Sequence, residues 1–306
     1  MVVGFVGVGA MGGPMCRNII RKSQQRVLVF DLDQRAVRAC TSIGAEAASS
    51  VADLALQADV IFTSLPTPPV VLEVGLGAGG IAENARPGTV WFDLTTNSPG
   101  VVRKISEALR PKGVRMVDAP ITGGVARAES GTVALMLGGD PELLEEYEAL
   151  LASFASKVIH MGPVGSGAIT KIINNMIVMS NIAVAAESLM LGVSAGLDPV
   201  RLVDLLQNGT ADSASLRSLA RHALSGDWAP SMTLDLAAKD VRLALDLADE
   251  ADCQVPVALE TSRLLLAARE MGFGGDDATS LLRVYEAAAG RTVHEAALRG
   301  EQSQVP

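Results

Sequence analysis

Hydrophobic positions in the first half of the chain form short, nearly continuous runs such as VLVF, VIFT and VWFD. Strands covered on both faces of a parallel sheet have such runs, and the amphipathic segments between them are typical of crossover helices. The pattern therefore predicts a doubly wound α/β domain. Strands are expected at residues 2–7, 26–31, 59–64, 89–94, 114–118, 133–137 and 157–160, and helices at 11–22, 34–43, 99–109 and 141–154.

After residue 160 the strand signals stop and the pattern becomes helical. Residues 168–195 contain no proline and only one glycine, Gly192. They predict a single helix of about 40 Å that joins the sheet domain to the rest of the chain. Further helices are expected at residues 199–207, 213–224, 232–251, 255–271 and 277–286, and the last residues, EQSQVP, are expected to fray.

Composition narrows the possible partners. The chain has 306 residues, of which 49% are hydrophobic, so it can bury two domain cores. A net charge of −9, without a local basic stripe, argues against a nucleic-acid partner. The long apolar helix contains asparagines and a glutamate, which favours burial in protein over lipid.

Cysteine and histidine are few and widely spaced. Cys16, Cys40 and Cys253 show neither metal-ligand nor disulfide spacing, so each is interpreted as a small buried hydrophobe in a protein of the reducing cytoplasm. The three histidines show no ligand spacing either, and no metal is expected.

A glycine motif follows the first predicted strand. Gly7, Gly9 and Gly12 form a GxGxxG, in which the first glycine permits a tight turn and the second lets backbone N–H groups approach a pyrophosphate. The third lets helix and strand pack closely. Because a strand precedes the motif and a helix follows it, dinucleotide binding is favoured over a glycine-rich turn without a ligand. The first residues are interpreted as a folded strand and not as a signal peptide.

Asp31 ends the second predicted strand, 19 residues after Gly12. A ribose-binding carboxylate is expected roughly 20 residues after the last glycine. Such a carboxylate binds the ribose diol and repels a 2′-phosphate. No Arg or Lys follows Asp31 directly, although Arg35 is near. The predicted cofactor is NAD, with NADP less favoured.

A second glycine cluster, at residues 162–167, leads into the long helix, where Lys171 and Asn175 share one face. A lysine near a helix N-terminus is electrostatically misplaced, because that end favours anions. One interpretation is a lysine that reaches solvent. The other is an acid/base group whose pKa is lowered by burial and by the helix N-terminus, beside an amide that orients the substrate. The adjacent amide favours the second.

A third cluster, DAPITGG at residues 118–124, follows another strand. Its two glycines can expose backbone N–H groups to an anion, with the Thr122 hydroxyl as a further donor. An ordinary strand-to-helix turn is the alternative.

With these clusters in view, the chain closely resembles the β-hydroxyacid dehydrogenase family, which includes 3-hydroxyisobutyrate dehydrogenase and tartronate semialdehyde reductase. The similarity runs to about residue 290 and rests on four motifs in the family's order. GFVGVGAMGGPM is similar to the cofactor fingerprint, DAPITGGVARAESGT to the substrate-binding segment and GSGAITKIINN to the catalytic segment. AAKDVRLAL is similar to a further cofactor-binding segment.

The resemblance implies an NAD-binding Rossmann domain over residues 1–162, an interdomain helix over 163–195 and an all-helical C-terminal domain over 196–306. It implies that Lys171 is catalytic and that Thr122, Gly123, Gly124 and Asn175 hold the substrate carboxylate. It also implies a homodimer or homotetramer. The residues implied to bind the cofactor are Gly7, Gly9, Ala10, Met11, Gly12, Asp31, Leu65, Pro66, Val70, Thr96 and Lys239.

The predicted reaction is reversible hydride transfer between NAD and a small 3-hydroxy carboxylate similar to 3-hydroxyisobutyrate, with Lys171 as general acid/base. A reductase of the tartronate or succinic semialdehyde type is the alternative. A non-catalytic NAD-binding scaffold is more remote, because a scaffold has no need of Lys171, Asn175 and Lys239 together. Imine-reducing relatives typically lack the lysine. Many members have serine in place of Thr122, and the added methyl narrows the pocket, so no single substrate is carried over.

Overall fold

The structure is a computed structural model that describes the backbone of residues 1–302 and the side chains of residues 1–298. The chain divides into two compact units, Met1–Lys171 and a second that begins at Ile172. The prediction instead divides the chain into three segments, with boundaries after residues 162 and 195, and treats the long helix as a separate segment.

The first unit is built on one nine-stranded sheet. Its strands are β1 (Val2–Val6), β2 (Arg26–Phe30), β3 (Glu46–Ala47), β4 (Val60–Thr63), β5 (Val90–Asp93), β6 (Arg115–Asp118), β7 (Ile121–Thr122), β8 (Val133–Gly138) and β9 (Ala155–Gly162). The strand order is β3-β2-β1-β4-β5-β6-β8-β7, with β9 paired to β8. The first six strands are parallel, whereas β8 runs antiparallel to β6 and β7. The predicted doubly wound Rossmann sheet is confirmed, with a mixed edge added.

Alternate residues of the central strands fill two cores, one on each face of the sheet. On one face Phe62 stacks between Phe5 and Phe92, with ring centroids 5.8 Å and 5.3 Å apart. On the other face Trp91 and Ile61 are fully buried. Burial on both faces explains the continuous apolar runs in the sequence.

The helices of this unit are α1 (Gly12–Lys22), α2 (Gln34–Thr41), α3 (Val51–Gln57), α4 (Pro68–Leu76), α5 (Ile81–Asn84), α6 (Pro99–Leu109), α7 (Gly124–Ser130), α8 (Glu142–Glu146) and α9 (Glu148–Leu151). The prediction of one helix over residues 141–154 is wrong. Tyr147 separates α8 from α9 with φ −110° and ψ 11°, and its ring packs edge-on against Phe92. The helices α3, α5 and α7 were not predicted, because four to seven residues are too few to show a clear period. The nine-residue α4 was not predicted either, because its residues, PPVVLEVGL, are almost all apolar and show no polar face.

The helix α10 (Ser166–Ser194) begins in the first unit and continues into the second. The second unit also contains α11 (Pro199–Gln207), α12 (Ala214–Ser225), α13 (Leu234–Glu250), α14 (Pro256–Glu270), a 3-10 turn (Ala278–Leu281), α15 (Leu282–Ala289) and α16 (Val293–Gln302). The structure therefore replaces the predicted helix at 277–286 with a turn followed by a helix. The prediction that EQSQVP frays concerns residues 301–306, of which 303–306 lie outside the described residues.

The cysteines and the long apolar helix differ in how far they are buried. Cys16 and Cys40 are buried as expected, but Cys253 is exposed, because it lies just past the end of α13. By length and hydropathy alone, α10 is the one helix among the described residues that could span a membrane, and 44% of its most apolar window is buried in the protein. Core helices of folded domains pass the same test.

Candidate active site

The glycine loop between β1 and α1 is shaped by close backbone approaches. Gly7 has φ +86°, and a Cβ atom on it would lie 2.3 Å from the carbonyl oxygen of Ser64. A Cβ atom on Gly12 would lie 1.9 Å from the carbonyl oxygen of Gly7. Around Gly9, in contrast, no atom lies within 4 Å of the Cβ position, and this residue is exposed. The first and third glycines are therefore required by packing, while the second leaves open space for a ligand.

Asp31 ties this loop to the end of β2. One carboxylate oxygen accepts a hydrogen bond of 2.8 Å from the backbone N–H of Val8. The other accepts a hydrogen bond of 2.8 Å from the backbone N–H of Asp33. The predicted ribose-binding carboxylate is thus held beside the glycine loop, next to the open space at Gly9.

A buried acid organises the neighbouring strand ends. Asp93 ends β5 and accepts hydrogen bonds from the hydroxyl of Thr63, at 2.8 Å, and from the amide of Asn97, at 2.9 Å. Burial raises the pKa of Asp93, against the hydrogen bonds, which lower it. Nearby, the Thr95 hydroxyl accepts a hydrogen bond of 3.0 Å from the backbone N–H of Leu65.

The other residues predicted to contact the cofactor lie in these same loops after β4 and β5. Leu65 and Thr96 are half-buried, whereas Pro66 and Val70 are exposed. The carboxyl ends of parallel strands are where α/β sheets bind nucleotides. Together with the open position at Gly9 and the carboxylate of Asp31, these loops fit a nicotinamide dinucleotide.

The predicted substrate turn follows β7. Thr122 pairs with Ala134 of β8, and the next two residues, Gly123 and Gly124, have φ +132° and +70°. No atom lies within 4 Å of the Cβ position of Gly124. The turn therefore leaves backbone groups accessible beside the half-buried Thr122 side chain.

Asp118, at the end of β6, binds the first turn of α10. Its two oxygens accept hydrogen bonds of 2.7 Å from the backbone N–H groups of Gly165 and Ala168. The side chain is nearly fully buried, and a Cβ atom on Gly138 would lie 2.5 Å from one of its carboxylate oxygens. Burial raises the pKa of Asp118 to about 6, against the two hydrogen bonds, which lower it. An anion thus occupies the N-terminus of α10, where the helix dipole favours it.

Lys171 lies on the second turn of this helix and is half-buried. Asp118 precedes Thr122 by four residues and fixes the start of α10 through backbone groups. In the first unit, the acid thereby connects the predicted substrate turn to the helix that carries the predicted proton-transfer group.

In the second unit, Asn175 belongs to a polar network. Its amide donates to Asp240 at 2.5 Å and its amide oxygen accepts from Asn174 at 2.9 Å. The other oxygen of Asp240 lies 3.0 Å from the ammonium of Lys239. Asp240 is buried, so it links Asn175 on α10 to Lys239 on α13. Asp240 therefore joins Asn175, which is predicted to bind substrate, to Lys239, which is predicted to bind the cofactor.

Three buried acids, Asp93, Asp118 and Asp240, were not predicted as site residues. Asp93 and Asp118 each end a strand, so an acid directly after an apolar run was one signal that could have identified them. Asp118 and Asp240 also lie inside the motifs DAPITGG and AAKDVRLAL, which was a second signal. Among residues 1–298 no cluster of three His, Cys, Asp or Glu side chains forms a metal site.

Comparison with known proteins identifies two matching family models. The model of the NAD binding domain of 6-phosphogluconate dehydrogenase matches residues 2–162. The model of the NAD-binding domain of NADP-dependent 3-hydroxyisobutyrate dehydrogenase matches residues 165–285. The two matches meet at the start of α10.

Similar proteins cover almost the whole chain. The 2-(hydroxymethyl)glutarate dehydrogenase of Eubacterium barkeri is 33% identical over 95% of this chain and 97% of that protein. The NAD-dependent L-serine dehydrogenase of Pseudomonas aeruginosa is 32% identical over 94% of this chain and 99% of that protein. The crystal structure of a 3-hydroxyisobutyrate dehydrogenase from Salmonella typhimurium superposes with a TM-score of 0.86 at 26% identity, covering 93% of this chain and 99% of that one.

Proposed function

Because the chain belongs to the β-hydroxyacid dehydrogenase family, we propose that it oxidises the hydroxymethyl group of a small 3-hydroxy carboxylate, with Lys171 as the acid/base group. The protein is an oxidoreductase that acts on the CH–OH group of a hydroxy acid, and NAD is its cofactor. What is proposed here is the substrate class, the role of Lys171 and the preference for NAD over NADP.

The observation that carries the proposal is the position of Asp118. This acid holds the backbone at the start of α10 and stands four residues before Thr122. In the proposed reaction the turn of Thr122, Gly123 and Gly124 binds the substrate carboxylate. The sequence also predicts that Asn175 binds substrate. Lys171 accepts the hydroxyl proton during oxidation and returns it to the carbonyl oxygen during reduction. Bound NAD⁺ supplies the hydride acceptor.

Two relatives support the substrate class through their names. L-Serine and 2-(hydroxymethyl)glutarate are both 3-hydroxypropionates and differ in the substituent at C2. 3-Hydroxyisobutyrate, named in a family model and in a solved structure, has the same skeleton with a methyl group at C2. We therefore expect the enzymes of this family to bind the hydroxymethyl and carboxylate groups in the same way. The C2 substituent would then distinguish one substrate from another. A semialdehyde reductase would use the same residues in the reverse direction.

The preference for NAD is supported by Asp31. Both of its oxygens bind backbone N–H groups, so the carboxylate is fixed beside the open space at Gly9. A fixed negative charge there repels a 2′-phosphate. Replacement of Asp31 by Asn should reduce the ratio of kcat/KM with NAD to that with NADP. Asp53→Asn, a change at a half-buried carboxylate in the first turn of α3, should not alter this ratio.

An oligomer is also part of the proposal. In the second unit, Ile177, Val184 and Leu191 repeat every seven residues along α10 and are 53%, 58% and 70% exposed. An apolar stripe of this period is typical of a helix that packs against another helix. We propose that this stripe lies between subunits of a homodimer or homotetramer.

The central experiment is an absorbance assay of the purified protein with NAD⁺ or NADP⁺ and a panel of hydroxy acids. The panel contains 3-hydroxyisobutyrate, glycerate, 3-hydroxypropionate, L-serine, threonate, 4-hydroxybutyrate and 2-(hydroxymethyl)glutarate. Reduction of NAD⁺ by one or more 3-hydroxy acids is expected. The variant Lys171→Ala should lose nearly all turnover and still bind NADH. Equal loss of binding and turnover would contradict the role of Lys171, and NAD binding with no turnover of any compound would favour the scaffold.

A further inference from the structure

Arg127 lies beside the turn that is proposed to bind the substrate carboxylate. It belongs to α7 and follows Gly123 by four residues. Long side chains on a helix point back toward its N-terminus and cover residues about one turn earlier. In α7 that direction leads to Gly123.

The structure shows this close approach. A methyl group added to Gly123 would lie 2.7 Å from Cδ of Arg127 and 2.9 Å from its Cβ. The stem of the arginine therefore rests on the bare α-carbon of Gly123, and a larger residue at that position would displace it. Since the guanidinium carbon is two covalent bonds beyond Cδ, the charged group lies within roughly 5 Å of the same point.

No acidic side chain neutralises this charge within the part of the chain that the structure describes. Glu129, two residues further along α7, is paired with Arg17 at 3.0 Å. Arg127 itself is exposed, and none of the ion pairs among residues 1–298 includes it. In a protein of net charge −9, the substrate turn thus carries a guanidinium that is available to an anion.

We propose that Arg127 binds a second carboxylate, carried by the C2 substituent of the substrate. This inference rests on the proposed function and narrows its substrate class to 3-hydroxy dicarboxylates. A guanidinium presents parallel N–H donors that match the two oxygens of a carboxylate. One carboxylate binds the turn of Thr122 to Gly124, and the other binds Arg127.

The test compares two substrates that differ only in the second charge. In 2-(hydroxymethyl)pentanoate a methyl group replaces the second carboxylate of 2-(hydroxymethyl)glutarate. The wild-type protein should have a kcat/KM for the dicarboxylate at least about tenfold above that for the pentanoate. Arg127→Ala should lower kcat/KM for the dicarboxylate about 10- to 100-fold, which is the loss expected when one charge-assisted hydrogen-bonded pair is removed. The same variant should leave the pentanoate within about threefold.

Two further variants sharpen the result. Arg127→Lys keeps the charge without the planar fork, so it should recover part of the lost activity toward the dicarboxylate. Arg110→Ala removes an exposed arginine that follows α6 and should change neither substrate. An equal effect of Arg127→Ala on both substrates would overturn the inference. So would wild-type turnover of other 3-hydroxy acids with no preference for the dicarboxylate, which would leave the proposed function intact. Absence of turnover across the whole panel would instead refute the proposed function.

Discussion

The carboxylate of Asp118 and the backbone N–H of Ala168 are joined by a hydrogen bond of 2.7 Å, although fifty residues of chain separate them. The second oxygen binds the N–H of Gly165 equally closely. Lys171 follows Ala168 by three residues, so the position of its backbone depends on an acid at the end of β6. In the proposed reaction Lys171 transfers a proton, and proton transfer is sensitive to displacements of about 1 Å. We therefore propose that this pair of hydrogen bonds is a condition for catalysis.

We predict that Asp118→Asn lowers kcat about 10- to 100-fold and changes KM by less than about threefold. The asparagine amide keeps one acceptor but turns its NH₂ group toward a backbone N–H, which loosens the first turn of α10. Steady-state kinetics of the purified variant measures this. Asp198→Asn makes the same change at the N-terminus of α11, where Asp198 accepts the N–H groups of Val200 and Arg201, and should leave kcat unchanged. Full activity of Asp118→Asn would contradict the prediction.

The pH dependence of Asp118 has a definite sign. Burial raises its pKa from the ordinary value of 3.8 to about 6 in the folded protein. Between these values the folded state holds a proton that the unfolded chain has released, so the contribution of this group to stability falls as pH rises from about 4 to about 6. Above pH 6 that contribution is constant. The loss amounts to about 3 kcal/mol.

Activity should change in the opposite direction. Below pH 6 a protonated Asp118 cannot accept both N–H groups, so kcat is expected to fall on the acid side with an apparent pKa of about 6. Unfolding in urea and kcat, both measured from about pH 4.5 to 8, test the two trends. In Asp118→Asn, both the stability and kcat should depend less on pH than in the wild-type protein. The prediction would be wrong if the stability of the wild-type protein, relative to that of the variant, rose with pH between about 4.5 and 6.

The glycine loop offers a matched pair of substitutions. Gly12→Ala places a methyl group against the carbonyl oxygen of Gly7 and should lower the melting temperature by several degrees. Gly9→Ala meets no atom within 4 Å and should leave the melting temperature nearly unchanged. Because its methyl group enters the space proposed for the pyrophosphate, it should weaken NADH binding at least about tenfold.

Calorimetry and NADH fluorescence separate these two effects. Gly275→Ala, an exposed glycine of the second unit that also has open space around it, controls for the general effect of a methyl group. Unchanged NADH affinity in Gly9→Ala would place the pyrophosphate elsewhere.

In the second unit, we predict that Asp240→Asn reduces kcat/KM about 10- to 100-fold and lowers stability by about 1–3 kcal/mol. The variant loses the charge that faces Lys239, and its amide can no longer serve both Lys239 and Asn175 as acceptor. Kinetics and urea unfolding measure the two effects. Asp249→Asn, an exposed change on the same helix, should alter neither. An inert Asp240→Asn would show that Asn175 holds its position without this acid.

The oligomer proposal predicts a result for the apolar stripe on α10. Val184→Glu puts a charge at the middle of the stripe, so subunits should separate, which light scattering coupled to size-exclusion chromatography measures as a smaller mass. Glu187→Gln, an exposed change one turn along the same helix, should leave the mass unchanged. A wild-type protein that is monomeric at micromolar concentration would contradict the proposal directly.

The sequence predicts most of the sheet, because a strand buried on both faces leaves a short, nearly continuous apolar run in the sequence. It does not predict β7, since a two-residue strand is defined by its partner, and Thr122 pairs with Ala134 only in the folded chain. The site shows the same contrast. Asp31 is predictable because its distance from Gly12 is set by one βαβ unit. The role of Asp118 is not predictable, because its partners lie 47 and 50 residues away.

The aliphatic part of the Arg127 side chain rests on Gly123, at the surface of α7, where substitutions can accumulate as the family diverges. An exposed side chain that makes no ion pair among the described residues can be exchanged at little cost to folding. Asp118, buried between two backbone donors, has no such freedom. In the proposed reaction, the residue that selects among acids, Arg127, is therefore easily replaced in evolution, whereas the residue that positions the proton-transfer group, Asp118, is not. A lineage can adopt a new nutrient by single substitutions on the surface of α7 while its proton-transfer machinery is inherited intact.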